Sequence, residues 1–235
     1  MAIPLYLAMT PSEIAALPLP KFPVAWMGCH FSPDNPGLSN LPDNLPAGSI
    51  LTVNDSLSIG AHDPKLIAEQ LTDAVIKLSC DGVVLDFQRQ WNEKAANVVR
   101  HLSKTVSFPM AVSDLYAQNT DRPIFLSPVP SDRHLSDHLQ PWQGREIWLD
   151  LGPGYQTVTI TDSGAHCVPS FADHSRKDFF QDRKLHNHYR IEINDSICFH
   201  IFRTSDDMKS LLLEAEGSNV TKAVGLYQEW KKSSG

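Results

Sequence analysis

The chain alternates short apolar runs with stretches in which apolar residues recur at a helical period, and this alternation favours a parallel β/α architecture. The short runs are rich in aliphatic and aromatic residues and predict strands, whereas the longer period predicts amphipathic helices. Eight runs meet the strand pattern, which is the number that a closed (β/α)8 barrel requires. The predicted strands span 3–8, 23–28, 49–53, 81–87, 109–114, 123–128, 146–152 and 222–227.

Three intervening helices are predicted from caps and apolar stripes. Asp63 followed by Pro64 predicts the start of one helix, and an apolar stripe over 95–102 predicts a second. Ser205 predicts the cap of a third helix, which Gly217 can end. These helices alternate with the predicted strands, as a (β/α)8 fold requires.

The connection between the fifth and sixth predicted strands is unusually short. Only about eight residues separate Asp114 from Pro123, whereas a parallel crossover usually needs a dozen or more. The spacing therefore leaves open whether both of these runs are strands.

Between residues 154 and 203 the hydrophobic period changes to two, which predicts two β-hairpins turning at 162–164 and 194–195. We predict an α/β fold for residues 1–235. It is a single-domain (β/α)8 TIM-like barrel with a small antiparallel β insertion over 154–203, after the seventh strand. The alternative is that both hairpins extend the sheet of an ordinary mixed α/β domain.

Charge and composition narrow the possible partners. The formal net charge of -7 disfavours nucleic acid and anionic lipid surfaces as partners. No apolar run approaches the roughly 20 residues of a membrane span, and no basic segment of a signal peptide precedes the first strand, so we expect no membrane association and a cytoplasmic location.

The four cysteines form no CxxC pair, and we predict neither a metal nor a cofactor. The oligomeric state stays open.

The fourth predicted strand, DGVVLDFQ, ends in polar residues. Side chains alternate along a strand, so Val84, Asp86 and Gln88 share one face while Val83 and Phe87 lie on the other. In a barrel, inward-facing residues at the carboxyl end of a strand line the mouth, where such folds keep their chemistry. The pattern therefore predicts that Asp86 and Gln88 lie at a functional mouth.

This stretch resembles the DxxDxDxE motif on the fourth strand of the family 18 glycoside hydrolases, which are chitinase-like (β/α)8 barrels. Asp81 and Asp86 match the first and third acids of the motif, and Val84 replaces the middle one. Gln88 stands where the family has its catalytic Glu. The order of elements is also similar, because family members often carry an insertion after the seventh strand, followed by a helix and a last strand that ends in an aromatic residue.

The resemblance implies a carbohydrate ligand and an altered chemistry. In that family the Glu protonates the glycosidic oxygen, while the N-acetyl group of the substrate acts as nucleophile with help from the Asp two residues earlier. A Gln has no proton to release, although it can donate and accept hydrogen bonds. The implied function is binding of a carbohydrate or another polar small molecule without the standard hydrolysis. Two alternatives stay open: an active glycosidase with relocated carboxylates, and a protein-interaction scaffold on a barrel fold.

The candidate site residues lie at predicted strand ends. Asp86 and Asp150 are the catalytic candidates if the carboxylates have been relocated, although a carboxylate at a strand end can equally cap a loop. Aromatic side chains at strand ends can pack against the apolar faces of sugar rings. The candidate ligand-binding residues are Gln88, Trp26, Asp114, Tyr227, Glu229 and Trp230.

Overall fold

The computed structural model describes residues 2–16, 18, 20–31, 34, 36–56, 62–152, 155–169 and 179–231. Eight parallel strands within these residues close into a barrel. Strand β1 (Leu5–Met9) closes it, because it pairs in parallel with both β2 (Val24–Phe31) and β14 (Val220–Leu226). The other barrel strands are β4 (Ile50–Asn54), β5 (Gly82–Asp86), β6 (Met110–Ser113), β7 (Ile124–Leu126) and β8 (Ile147–Asp150). The short strand β3 (Leu38–Ser39) is not one of the eight and lies antiparallel against β2. The predicted (β/α)8 TIM-like barrel is confirmed.

Three amphipathic helices pack outside the barrel: α2 (Pro64–Leu78), α3 (Glu93–Thr105) and α5 (Ser205–Ala215). Asp63 caps α2 as predicted, by accepting the backbone N–H of Lys65 at 2.9 Å. The predicted cap of α5 is wrong by one residue, because Thr204 forms a reciprocal capping box with Asp207. No helix in the described part of the chain is long and apolar enough to span a bilayer. The shorter helices are α1 (Pro11–Ala15), α4 (Leu135–Leu139) and α6 (Tyr227–Lys231).

The short connection after the fifth barrel strand is a 3-10 helix over Asp114–Asn119. Both flanking runs are strands, and β6 pairs in parallel with β7. A 3-10 helix rises about 2.0 Å per residue, so six residues span about 12 Å, which is close to the length of a four-residue strand. The tighter helix therefore returns the chain to the start of β7 with fewer residues than an α-helical crossover needs.

Residues after β8 form a second, antiparallel sheet. Its strands are β9 (Tyr155–Thr161), β10 (Gly164–Pro169), β11 (Phe180–Asp182), β12 (Asn187–Ile193) and β13 (Ile197–Phe202), in the order β10-β9-β13-β12-β11. The predicted hairpins are β9–β10 and β12–β13, whereas β11 was not predicted. Because this sheet is separate from the barrel, the antiparallel insertion after the seventh barrel strand is confirmed. The bounds 154–203 and the single domain over 1–235 stay predictions.

The barrel interior is filled at the amino ends of the strands. Trp148 is fully buried inside the barrel, near Tyr6 and Val84. The Tyr6 hydroxyl donates to Asp81 Oδ2 at 2.5 Å, and Lys222 Nζ donates to the same oxygen at 2.6 Å. Asp81, the first acid of the strand motif, therefore belongs to a network at the closed end of the barrel, far along β5 from the mouth.

Candidate functional site

The carboxyl ends of the barrel strands bring acidic side chains together. Asp86 ends β5, Asp150 ends β8, and Asp114 directly follows β6. Asp55 and Asp114 both raise the pKa of Asp86 through their negative charges, and Asp86 and Glu229 do the same to Asp150. These interactions place five carboxyl groups around the mouth. Within the described part of the chain, no three His, Cys, Asp or Glu side chains are arranged to hold a metal ion.

Asp86 and Gln88 form the centre of this site. Both point to the same side of β5, and Gln88 Nε2 donates to Asp86 Oδ1 at 2.6 Å. Burial and, less strongly, the charges of Asp55 and Asp114 raise the pKa of Asp86, the hydrogen bond from Gln88 lowers it, and the net pKa is about 6. Asp86 is therefore mainly ionised at neutral pH, with a measurable protonated fraction.

Asp150 is the more strongly perturbed acid. Burial raises its pKa most, a backbone hydrogen bond from Gly152 N–H to Asp150 Oδ1 at 2.8 Å lowers it, and the negative charges of Asp86 and Glu229 raise it, with a net pKa of about 7. Asp150 therefore titrates in the neutral pH range. This side chain can both donate and accept a proton in the mouth.

Asp55 is a site residue that the sequence interpretation missed. It follows β4 and accepts the backbone N–H of Gln88 at 3.3 Å and that of Arg89 at 3.2 Å. These bonds hold the segment after β5 and so orient Gln88. The available signal was its position two residues after the predicted strand over 49–53, whereas Asp114 was chosen as the last residue of the predicted strand over 109–114.

Ser127 was also missed, and it orients Asp114. Its hydroxyl donates to Asp114 Oδ2 at 2.9 Å, while its backbone carbonyl bonds to His138 Nε2 at 2.8 Å. Ser127 directly follows β7, next to the strand that Asp114 follows. Adjacent strands therefore supply a fixed Ser–Asp pair at the mouth.

The three aromatic candidates lie outside the barrel interior. Trp26 is only 8% exposed, packs in the apolar layer between barrel and helices, and donates its Nε1–H to the Asn40 carbonyl at 3.1 Å. Tyr227 packs against the same layer, and Trp230 packs against the cluster around β8, β14 and α5. Trp26, a ligand-binding candidate because of its predicted position at a strand end, points away from the barrel axis. Tyr227 and Trp230 likewise pack in the apolar layer between the barrel and the helices.

The comparisons with known proteins concern the fold. No family model and no curated protein matches this sequence. A family 18 N-acetylglucosaminidase from Paenibacillus barengoltzii superposes with a TM-score of 0.60 and 10% identity, over 96% of this chain and 95% of that one.

Two spore cortex-lytic enzymes named SleL are also similar in structure. The enzyme from Bacillus cereus matches with a TM-score of 0.57 and 9% identity, over 97% of this chain and 73% of that one. The enzyme from Bacillus megaterium matches with a TM-score of 0.53 and 9% identity, over 99% of this chain and 73% of that one. At these identities the likeness establishes the fold alone. The chain is thus a divergent barrel with the fold of a family 18 glycoside hydrolase, as the resemblance of its fourth barrel strand predicted.

Proposed function

We propose that the barrel mouth binds a carbohydrate and does not perform the standard hydrolysis of family 18 enzymes. The observation that carries this proposal is the 2.6 Å hydrogen bond between Gln88 Nε2 and Asp86 Oδ1. An amide stands beside the acid at the position where the resembled family has its proton donor, and an amide has no proton to release near neutral pH. The N-acetylglucosaminidase among the similar structures supports a sugar as the ligand.

The chemistry of the mouth suits a ligand with many hydroxyl groups. Asp86, Asp114 and Asp150 offer carboxyl oxygens, which accept hydrogen bonds from hydroxyl groups more strongly than neutral acceptors do. Gln88 adds a carbonyl oxygen that its bond to Asp86 leaves available. The negative charges repel phosphate groups, so nucleic acid is not proposed as a partner, and the expected cytoplasmic location also remains a proposal.

A second candidate function is hydrolysis by relocated carboxylates, and the two raised pKa values favour it. Asp150, with a pKa of about 7, could act as the general acid, while Asp86, with a pKa of about 6, could stay ionised as its partner. A carboxyl group whose pKa is raised toward neutrality can hold a proton and release it in a reaction near neutral pH. This candidate requires turnover in the unmodified protein that disappears in Asp150→Asn.

We expect calorimetric titration with chito-oligosaccharides to give saturable heats. Asp86→Ala should weaken binding by about 10-fold to 100-fold, because it removes a charged acceptor worth about 1.5–3 kcal/mol. Asp43→Ala is the matched control, since Asp43 has a fully exposed side chain away from the mouth. Flat titrations with the unmodified protein would refute binding of this class of sugar.

Gln88→Glu should introduce slow hydrolysis of chromogenic N-acetylglucosaminides, about 10²-fold above the unmodified protein. Gln88 is exposed, so the new carboxyl can exchange protons with solvent, and the nearby Asp86 and Asp55 would raise its pKa toward neutrality. Gln90→Glu, two residues further along in an exposed position, is the control. If turnover stays at the unmodified level, the amide is not what prevents hydrolysis.

A further inference from the structure

Trp91 is an exposed tryptophan in the loop that joins β5 to α3. It follows Gln88 by three residues and is 52% exposed, whereas the other four tryptophans of the chain are buried or half-buried. A tryptophan side chain is usually well buried, because its large ring removes much apolar area from water. An indole left in water beside the candidate site is therefore a candidate for contact with a bound molecule.

Hydrogen bonds to Tyr116 fix the backbone on both sides of Trp91. The Tyr116 hydroxyl donates to the Gln90 carbonyl at 3.2 Å and accepts the backbone N–H of Asn92 at 2.9 Å. Tyr116 is fully buried, and its ring meets that of Phe87 edge-on with 5.8 Å between the centroids. The exposed indole therefore projects from an anchored loop, so a ligand would not have to order the backbone in order to use it.

The anchors of this loop place Trp91 at the rim of the barrel mouth. Asp55 follows β4 and holds the backbone of Gln88 and Arg89, whereas Tyr116 lies in the 3-10 helix that follows β6. The loop is thus tied to the carboxyl ends of both strands that pair with β5. A stretch of three residues spans at most about 11 Å, so the Trp91 backbone lies within that distance of Gln88.

We propose that Trp91 stacks against one sugar ring of an oligosaccharide, another unit of which lies at Asp86 and Gln88. This inference rests on the proposed function of the mouth, and it makes the ligand a chain of sugars rather than a single sugar. The apolar face of a sugar ring packs on the flat indole, while the hydroxyl groups at the edge of the ring stay in water. The carboxyl groups fix one unit by hydrogen bonds, and the indole adds apolar contact with a second.

Calorimetric titration with N-acetylglucosamine and with the corresponding chito-tetrasaccharide separates the two contacts. We expect Trp91→Ala to weaken binding of the tetrasaccharide about 10-fold and to leave binding of the monosaccharide unchanged. Trp91→Tyr keeps a flat ring and should restore most of the affinity. Phe22→Ala is the matched control, since Phe22 is 42% exposed and precedes β2, at the amino end of the barrel.

Acrylamide quenching of tryptophan fluorescence gives a second measurement, which a merely structural role of Trp91 would not change. Acrylamide quenches an indole by collision, so the exposed Trp91 is the most accessible of the five rings. We expect the bound tetrasaccharide to reduce quenching in the unmodified protein. The same ligand should leave quenching of Trp91→Phe unchanged, because the ring that it covers no longer fluoresces as a tryptophan.

Three results would overturn the assignment of Trp91 alone. They are tetrasaccharide binding that Trp91→Ala leaves intact, an equal loss of affinity for the monosaccharide and the tetrasaccharide, and an equal loss in Phe22→Ala. Flat titrations of the unmodified protein with both sugars would instead overturn the proposed function of the mouth, and this inference with it. Circular dichroism of each variant verifies that the barrel is still folded.

Discussion

Asp150→Asn should stabilise the protein at about pH 8 and leave its stability unchanged at about pH 4. The ordinary pKa of an Asp carboxyl is 3.8, and burial raises that of Asp150 to about 7 in the folded chain. Between these values the unfolded chain has lost the proton while the folded chain retains it, so the free energy of unfolding falls as the pH rises through this window. Asn is neutral throughout and avoids this loss.

The expected gain at high pH is roughly 2 to 4 kcal/mol, because one pKa unit corresponds to about 1.4 kcal/mol. The carbonyl oxygen of Asn can still accept the N–H of Gly152, so the local backbone should be preserved. Urea denaturation at a series of pH values measures the gain, with Asp43→Asn at a fully exposed position as the control. A gain of equal size at about pH 4 would show that ionisation of Asp150 is not the cause.

Trp148→Ala should lower the free energy of unfolding by about 3–5 kcal/mol. The indole is fully buried inside the barrel, where its Nε1–H donates to Glu146 at 3.1 Å and Lys222 Nζ lies 4.5 Å from the ring centroid. It also packs so closely on β5 that a Cβ at Gly82 would lie 2.7 Å from the ring. Removing it leaves a cavity that neighbouring strands of a closed barrel cannot collapse to fill.

Urea denaturation followed by circular dichroism measures this loss, because fluorescence changes when a Trp is removed. Trp91→Ala is the matched control, since Trp91 is 52% exposed, and its effect should stay within about 0.5 kcal/mol. A comparable loss in both variants, or a loss below about 1 kcal/mol in Trp148→Ala, would show that this ring does not fill the barrel.

The sequence alone determined the features that depend on how apolar and polar residues alternate along one strand. The alternation along β5 predicted that Val83 and Phe87 pack outward while Val84 and Asp86 point inward, and the structure confirms both orientations for the apolar residues. The Gln88–Asp86 hydrogen bond follows from the same period, because residues two apart share one side of an extended chain. The β9–β10 and β12–β13 hairpins were predictable for the same reason.

Only the tertiary structure decided which distant residues meet and which side chains lose contact with water. Asp55 joins Asp86 because β4 pairs in parallel with β5, so that the carboxyl ends of the two strands meet. No local pattern encodes the degree of burial that raises the pKa of Asp150. Trp26 stands near a strand end in the sequence, yet it points into the outer layer, next to an irregularity in the register of β2. The hydrophobic period sets which residues share a side of a strand, whereas the packing of non-local elements sets what covers that side.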